Sequence, residues 1–356
     1  MVRENITIKE IAKKAGVSIG TVYRALHDRG RISIDTQKKI LEIAKDLGYK
    51  RNILASALSS SQTKKILAVI QKEPHSFHSL IMEGMKSAEQ EMLKYKISVE
   101  YVRMEHVNEK TTQEIIHRTK IIEPNGVVLI PSLDMSGFID SLVNSGVPVI
   151  TYNSDLKESK RLCYIGQDTY RAGKVAGELM GKLLPQDSKI LILTGSNKLE
   201  SLESRMRGFV DELREEYPFL SIVDTIEYFE NESLAKQLVK EYVYKNPDLD
   251  GVYVTCFSGT IGVAKAMKEL NTEKKPIVIG FDTGAEIEEA LYDNRLCATL
   301  SQEPFKQGYN AIMFMSKVLL AGWEPEQKQY YTKSSVILKN NVKEESTNFQ
   351  TDFLDV

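Results

Sequence analysis

The order of hydrophobic and polar positions divides the chain into a short helical segment and a long segment of alternating strands and helices. Within residues 7–47, apolar residues recur at the spacing of one helix face. The pattern predicts three helices, Ile8 to Lys14 after a Thr7 cap, Ser18 to about Leu26 and Ser33 to about Leu47. Gly16 ends the first because glycine tolerates a tight turn. Two short helices joined by such a turn and braced by a third are typical of a helix-turn-helix unit.

From Ile66 onward, short continuous apolar runs alternate with amphipathic stretches, which predicts parallel sheets buried on both faces. The predicted strands are 66–70, 98–102, 126–130, 147–152, 189–194, 251–255, 276–281 and 298–301. The predicted helices lie near 79–93, 109–121, 168–184, 201–216, 232–244, 259–270, 284–293 and 305–320. These strands are too many for one compact sheet, so we expect two Rossmann-like lobes. The fold class is therefore α/β, with a small all-α domain in front of two parallel-sheet lobes.

Residues 50–65 differ in character from both neighbours. Asn52 to Leu58 predict one short helix, and Ser59 to Thr63 form a polar linker. We therefore expect a headpiece at 1–50, a short helix with its linker at 51–65, and a two-lobed body at 66–356.

Charge is distributed unevenly along the chain, although the net charge is only −2. Residues 1–65 hold 14 Lys and Arg against 6 Asp and Glu, a charge of +8, and the remaining 291 residues carry −10. A basic segment before an acidic body predicts a polyanionic partner for that segment alone. Charge by itself leaves an equal alternative, a solvated surface with chance clustering.

Several classes of protein are not favoured by the sequence. No apolar run is long enough to span a bilayer, and the first ten residues lack the apolar core of a signal peptide, so we expect a cytoplasmic protein without a membrane partner. The three cysteines are far apart and fit neither a disulfide framework nor a zinc site. Phosphate-loop, zinc-protease and nucleophile-elbow motifs are absent, so we expect no enzyme, no cofactor and no metal.

The first domain carries residues that resemble a known family. They are Thr7-Ile-Lys-Glu-Ile-Ala-Lys-Lys-Ala-Gly-Val-Ser-Ile-Gly-Thr-Val-Tyr-Arg-Ala-Leu26, Arg31-Ile32-Ser33 and Leu47-Gly48-Tyr49. This segment resembles the DNA-binding headpiece of the lactose/galactose repressor (LacI/GalR) family of bacterial transcription regulators. The resemblance implies that the second helix enters the major groove of double-stranded operator DNA, where each base pair shows a distinct pattern of donors and acceptors.

The resemblance also implies roles for single residues of the headpiece. Ile19, Gly20 and Arg24 would face base edges, whereas Ser18, Thr21 and Tyr49 would contact phosphates, which position rather than specify. Gly20 offers no side chain where many relatives carry a long polar one. Tyr23 stands where serine is usual, and contact with the DNA backbone or with the neighbouring helix are equal alternatives. The expected DNA-binding residues are Thr7, Ser18, Ile19, Gly20, Thr21, Tyr23, Arg24, Arg31, Tyr49, Asn52, Ala55 and Leu58.

The last three of these belong to Asn52-Ile-Leu-Ala-Ser-Ala-Leu58, which resembles the hinge helix of the family. In relatives, hinge helices from two subunits pair in the minor groove and wedge a leucine between base steps. Leu58 matches that leucine and Ala55 the small residue at which the pair meets, although Arg51 replaces the proline of many relatives. An ordinary linker helix is the alternative. Paired headpieces and hinge helices imply a homodimer on a pseudo-palindromic operator.

The body resembles the type I periplasmic sugar-binding fold that this family uses as its sensor. Among the matching segments are Pro148–Asp155, Tyr164–Asp168, Arg205–Phe209, Ile279–Asp282 and Ser301–Gln302. The resemblance implies that a small sugar or polyol effector binds between the lobes, at the carboxyl ends of the strands. The implied effector-binding residues are His75, Phe77, His78, Asn153, Asp155, Arg205, Cys256, Phe257, Asp282 and Gln302.

Alternatives remain open at several of these positions. Asn153 stands where sugar binders place an acid, for which Asp155 would compensate. Asp282 would accept from effector hydroxyls, cap the helix that follows it, or do both. Cys256 stands where sugar binders often carry asparagine, and a buried inert thiol is the commoner state. The two histidines either contact the effector or flank the cleft.

Together these features predict a sequence-specific DNA-binding regulator of transcription, acting as a repressor, whose DNA affinity depends on a sugar or polyol effector. One alternative is a purine-type sensor, in which the ligand strengthens DNA binding as a corepressor. Another is a cytosolic sugar-binding protein with a vestigial headpiece. Removal of residues 1–60 separates these classes, because only a regulator loses its activity with the headpiece.

Overall fold

The first unit of the chain is a bundle of three short helices. The computed structural model describes residues 7–27, 32–47, 63–71, 76–104, 109–196 and 199–343, and the chain divides into two units, Met1–Ser60 and Ser61–Val356. The helices of the first unit are α1 (Ile8–Ala15), α2 (Ile19–His27) and α3 (Ile34–Asp46). All three predicted helices are confirmed to within one residue at each end.

Local capping explains where these helices begin. The side chain of Thr7 forms a capping box with Glu10, and the Ser18 hydroxyl accepts from the Thr21 backbone N–H at 3.1 Å. Gly16 adopts a left-handed backbone with φ 71°, which ends α1. Apolar residues on one face of each helix, among them Ile11, Val22, Ala25 and Ile40, form the buried core.

The second unit alternates strands and helices along most of its length. Its first half is β1 (Lys64–Gln71), α4 (Ser76–Met92), β2 (Ile97–Met104), α5 (Glu109–Ile122), β3 (Gly126–Leu129), α6 (Ser136–Asn144), β4 (Val149–Tyr152), β5 (Cys163–Gly166) and α7 (Thr169–Leu183). The second half is β6 (Lys189–Thr194), α8 (Glu200–Glu216), β7 (Ser221–Glu227), α9 (Glu232–Lys245), β8 (Gly251–Val254), α10 (Phe257–Glu269), β9 (Ile277–Phe281), α11 (Ala285–Tyr292), β10 (Ala298–Ser301), α12 (Pro304–Ala321), β11 (Gln329–Tyr331) and β12 (Ser335–Ile337). Single 3₁₀ turns lie at Leu93–Tyr95 and Leu133–Met135.

The strands form two six-stranded sheets, one in each lobe. Lobe 1 has the order β11-β5-β4-β3-β1-β2, and lobe 2 has the order β12-β10-β9-β8-β6-β7. All strand pairs are parallel except the pair of β10 with β12. The predicted α/β class with two parallel-sheet lobes is therefore confirmed. The chain crosses between the lobes three times, after β5, after β10 and after β11.

All eight predicted strands are present. Five elements of the structure were not predicted: β5, β7, β11, β12 and α6. The strands β11 and β12 have three residues each, which is too short for a pattern. The edge strand β7 is mostly exposed or half-buried, so it lacks the continuous apolar run of a central strand.

Small residues bring α7 and α8 into close contact in lobe 2. A Cβ atom at Gly173 would lie 2.1 Å from the carbonyl oxygen of Arg205, and one at Gly208 would lie 2.1 Å from that of Tyr170. Asp168 caps α7 by accepting from the Arg171 N–H at 3.1 Å. This close approach fixes the position of α8, and therefore of Arg205, against the first crossover.

Candidate functional site

One face of α2 in the first unit is available to a partner. Ser18, Ile19, Gly20 and Arg24 are exposed, while Val22 and Ala25 face the core. The Thr21 hydroxyl lies 2.9 Å from that of Ser18 and accepts from the Arg24 guanidinium at 3.3 Å. These contacts hold the polar side chains on the same face as the half-exposed Ile19, so the surface combines cationic, hydroxyl and apolar groups.

The remaining residues predicted to bind DNA divide into two groups. Thr7 is exposed at the start of α1, and Tyr23 is half-buried on α2. Arg31, Tyr49, Asn52, Ala55 and Leu58 lie outside the described residues, and so does the predicted hinge helix. The DNA contacts of both groups stay predictions.

In the second unit, polar side chains meet at the carboxyl ends of the strands. Asn153 follows β4 of lobe 1, and its Nδ2 donates to Gln302 Oε1 at 3.3 Å. Gln302 Nε2 in turn donates to Oδ1 of Asp282, which follows β9 of lobe 2, at 2.7 Å. Gln307 of α12 joins the cluster, because its Nε2 donates to the Gln302 backbone oxygen at 2.8 Å. The structure thus brings three predicted effector-binding residues into one hydrogen-bonded chain between the lobes.

Backbone geometry turns two of these residues toward the cleft. Asn153 and Asp282 have φ values of 61° and 73°, in the left-handed region that side chains other than glycine rarely adopt. Asparagine and aspartate tolerate that region best. Each residue directly follows a buried strand, so the chain turns there at the edge of the sheet. Such conformations cost free energy and are often found at functional sites.

The lobes also meet at two other places near the cleft. The side-chain Nε2 of Gln71, the last residue of β1, donates to Glu230 of lobe 2 at 3.4 Å. The backbone N–H of Ser201 in α8 donates to the Ser154 hydroxyl at 3.3 Å. The lobes therefore contact each other at two places besides the Asn153–Gln302–Asp282 chain.

Asp282 is buried and its charge is partly compensated. Burial raises the pKa of this carboxyl to about 6, while the nearby Arg205 guanidinium and the Gln302 hydrogen bond oppose the rise. The backbone of Phe257, the first residue of α10, also hydrogen-bonds the carboxylate. The alternative that Asp282 caps the following helix is not observed, because α11 begins after Gly284 without a side-chain cap.

Arg205 is buried on α8 and is held on three sides. Its Nε and Nη2 donate to Gln167 Oε1 at 3.1 and 2.7 Å, and its Nη1 donates to the Thr255 backbone oxygen at 2.9 Å. The guanidinium carbon lies 4.1 Å from the centre of the Phe281 ring. A guanidinium has five N–H donors, so further donors remain for a ligand after these three bonds. Its orientation is set before any ligand arrives.

Asp155 is not brought together with Asn153. Both its carboxylate oxygens pair with the buried Arg161, and Oδ1 also accepts from the Thr151 hydroxyl at 3.0 Å and the Leu156 N–H at 2.8 Å. All these partners belong to lobe 1. The structure therefore gives Asp155 a role in holding the loop after β4.

Of the remaining predicted residues, Cys256, Phe77 and His78 are described and His75 is not. The Cys256 sulfur lies 2.8 Å from the Tyr228 hydroxyl, and burial raises the pKa of the thiol to about 12. The thiol is therefore neutral at physiological pH, as the alternative of an inert cysteine implies. Phe77 packs edge-on against His78 at 5.0 Å at the start of α4, whereas His75 lies outside the described residues.

Gln167 and Gln307 contact the residues of the site but are not among those predicted from sequence. Gln167 stands inside the matching segment Tyr164–Asp168 and directly follows a strand whose four residues are buried. A polar residue at that position was the available signal, as it was for Asn153 and Asp282. Gln307 lies within a helix and has no such signal. Within the described ranges, no three His, Cys, Asp or Glu side chains are arranged to hold a metal ion, and no helix there could span a membrane.

Comparison with known protein families assigns both units. Residues 7–52 match the model described as bacterial regulatory proteins, lacI family, and residues 66–322 match the model described as periplasmic binding protein domain. The second match alone covers more than half of the chain.

Individual relatives agree with these matches. The probable HTH-type transcriptional repressor ExuR of Bacillus subtilis is 26% identical over 94% of this chain and 96% of its own length. The sucrose operon repressor of Staphylococcus xylosus is 26% identical over 77% of this chain and 82% of that protein. The HTH-type transcriptional regulator RegA of Clostridium saccharobutylicum is 31% identical, but the alignment spans only 36% of this chain and 41% of that protein.

Solved structures resemble the second unit. The glucose-galactose binding protein GanP of Geobacillus stearothermophilus superposes with a TM-score of 0.73 at 26% identity, over 79% of this chain and 99% of that one. The second unit therefore shares the two-lobed architecture of that protein.

Proposed function

The chain belongs to the lacI family of bacterial regulatory proteins, with a periplasmic binding protein domain as its body, and from this premise we propose that it is a transcriptional repressor controlled by a sugar or polyol. The effector binds between the lobes at Asn153, Arg205, Asp282 and Gln302. The protein acts in the cytoplasm as a homodimer, and each protomer contributes one headpiece to a pseudo-palindromic operator.

The observation that carries the effector proposal is the chain of polar groups between the lobes. A sugar hydroxyl both donates and accepts, so its recognition needs acceptors and donors in fixed positions. Asp282 supplies an acceptor, Arg205 a charged donor, and the amides of Asn153 and Gln302 supply both. Asn153, Asp282 and Gln302 directly follow parallel strands, at the edge where ligands of such folds bind, and Arg205 reaches the end of β8 from α8.

A thermal-shift screen tests the effector class. The purified full-length protein is heated with pentoses, hexoses, their phosphates, inositols and nucleobases, each in excess. A ligand at a hundred times its dissociation constant adds about 2.7 kcal/mol to the free energy of unfolding. A selective shift by one neutral sugar or inositol supports the proposal. A shift with nucleobases alone supports a corepressor of the purine type, and the absence of any shift contradicts both.

Ile19→Ala tests the exposed face of α2. Ile19 is 50% exposed and contributes little to the headpiece core, so we expect the melting temperature to stay nearly constant. Loss of an apolar contact with a base, worth about 1.4 kcal/mol, would lower DNA affinity about tenfold. Fluorescence anisotropy with a labelled fragment of the protein's own upstream region measures the effect.

The matched control for this change is Leu41→Ala. Leu41 is 46% exposed, but it lies in the middle of α3 rather than on α2. We expect the Leu41→Ala protein to bind DNA with the affinity of the unchanged protein. Equal losses in both variants would show that α2 has no special role in binding.

Asp282→Asn tests the environment of the buried carboxyl through pH. Burial raises the pKa of Asp282 from 3.8 to about 6, so the folded state favours the protonated form. The resulting stabilisation is complete below about pH 3.8 and is lost as the pH rises through about 6, and its size is about 3 kcal/mol. The free energy of unfolding of the unchanged protein should therefore fall, relative to the variant, between about pH 4 and pH 7. Urea denaturation at several pH values measures it, and a pH-independent difference between the two proteins would contradict the assignment.

A further inference from the structure

A single side chain, Gln167, touches all three segments that connect the lobes. Gln167 lies on the first crossover, between the end of β5 and the cap of α7. Its Nε2 donates to the backbone oxygen of Ser301 at 3.1 Å, where the second crossover begins. The same nitrogen hydrogen-bonds the hydroxyl of Ser334, on the third crossover. Only 1% of Gln167 is exposed to solvent, and its bond to Ser301 is buried, whereas Ser334 lies at the surface.

The other end of this side chain holds the proposed effector-binding arginine. Oε1 of Gln167 accepts from both Nε and Nη2 of Arg205. We propose that Gln167 is a positioning residue that holds Arg205 in place and transmits its contact with the effector to the three crossovers. This inference rests on the proposed function of the cleft and assigns the step that joins the effector site to the relative position of the lobes.

The chemistry of the amide suits both tasks. A carboxamide has one oxygen that accepts two N–H groups of a guanidinium and one nitrogen with two donors. Those two donors match the Ser301 carbonyl and the Ser334 hydroxyl. Glutamate would keep the acceptor but present a second oxygen to the Ser301 carbonyl, with no donor when ionised. Methionine would fill the same space without either function.

The consequence for regulation follows from the shared hydrogen bonds. An effector that draws the Arg205 guanidinium toward its hydroxyls changes the two bonds to Gln167 Oε1. The amide then changes its bonds to the second and third crossovers, because it is rigid and buried. Gln302 is the next residue after Ser301 and belongs to the Asn153–Gln302–Asp282 chain. Effector contacts therefore act on the second crossover in two ways, through Gln167 and through Gln302. Coupling between the effector site and the DNA-binding site needs an element with two arrangements, whose populations change when either site is occupied. The three crossovers are that element.

The first arm of the test needs no ligand. Amide hydrogen exchange is compared between the unchanged full-length protein and Gln167→Met. We expect faster exchange at 301–303 and 332–334 and in the turn of α8 that carries Arg205, with unchanged exchange in β1, β3, β6 and β8. Gln329→Met is the matched control, because among the described residues the side-chain amide of Gln329 donates to Asp155, at 3.5 Å and within lobe 1. Uniformly faster exchange, or unchanged exchange at the crossovers, would overturn the inference.

The second arm measures effector affinity and coupling separately. The probe is whichever of D-glucose, D-galactose, D-arabinose, D-xylose and myo-inositol stabilises the unchanged protein most. The coupling factor is the ratio of the DNA dissociation constants with and without a saturating amount of that probe, and couplings of this kind are typically about 5- to 150-fold. We expect Gln167→Met to weaken probe binding about tenfold and to bring the coupling factor close to one.

Gln167→Glu distinguishes positioning from a general structural role. It keeps an acceptor for Arg205 but loses the donors to Ser301 and Ser334. Probe affinity should therefore stay within about threefold of the unchanged protein, whereas the coupling factor should fall as far as in Gln167→Met. A Gln167→Glu protein with full coupling would overturn the inference. If no sugar of the panel stabilises the unchanged protein, the proposed function of the cleft fails, and the exchange arm then decides on Gln167 alone.

Discussion

Arg205→Lys is expected to weaken effector binding by about 100- to 1,000-fold. The guanidinium donates to Gln167 and Thr255 at the same time and lies on the Phe281 ring, and two of its five N–H groups remain for the proposed effector. Lysine has one compact ammonium, so it cannot keep these bonds and also donate in the same plane to a hydroxyl pair. Hydrogen bonds to charged groups contribute about 1.5–3 kcal/mol each, and loss of two of them at the lower end of that range, about 3–4 kcal/mol, accounts for the expected factor. Isothermal titration calorimetry with the sugar identified by thermal shift measures it.

Arg207→Lys is the control for this substitution. Arg207 lies on the same helix, its side chain is about half exposed, and its nearest carboxylate is Glu203 at 3.6 Å. We expect the Arg207→Lys protein to bind the effector as tightly as the unchanged protein does. DNA affinity without effector should be nearly equal in both variants, since neither residue belongs to the headpiece. An Arg205→Lys protein with unchanged effector affinity would place the effector elsewhere.

Removal of residues 1–60 is expected to abolish DNA binding and to leave effector binding unchanged. Residues 61–356 form a separate unit with its own core, so this part should fold without the headpiece. Residues 61–356 carry −8, a net charge that repels DNA. We expect a loss of at least about 1,000-fold in DNA affinity, which is the usual contribution of several phosphate contacts and base contacts together. Electrophoretic mobility shift at two salt concentrations measures DNA binding, and thermal shift with the identified sugar measures effector binding.

The result of this truncation separates two classes of function. A regulator loses its activity together with DNA binding, whereas a sugar-binding protein with a vestigial headpiece keeps its activity. Salt-sensitive DNA binding by residues 61–356 would contradict the assignment of the DNA surface to α2. Loss of sugar binding in the truncated protein would show that the headpiece supports the cleft.

The headpiece was predictable from sequence because its structure depends on neighbours in the chain. Thr7, Ser18 and Ser33 cap helices whose N–H groups are three residues away, and Gly16 ends α1 through its own backbone. The central strands were predictable for a related reason. A strand buried on both faces must be apolar along its whole length, as Ile66–Ile70 is. The edge strand β7 lacks that requirement and was missed.

The sequence by itself determined the family, the two-lobed α/β body and the strand ends at which Asn153 and Asp282 stand, because local pattern and matching motifs are properties of short segments. Only the tertiary structure decided what the polar groups bind. Asp155 has the same pattern as Asn153, yet it pairs with Arg161 in lobe 1. Gln167 contacts Arg205, Ser301 and Ser334, which are 38, 134 and 167 residues away. No local pattern encodes contacts at such separations, since they arise only when parallel strands and three crossovers place distant chain segments side by side.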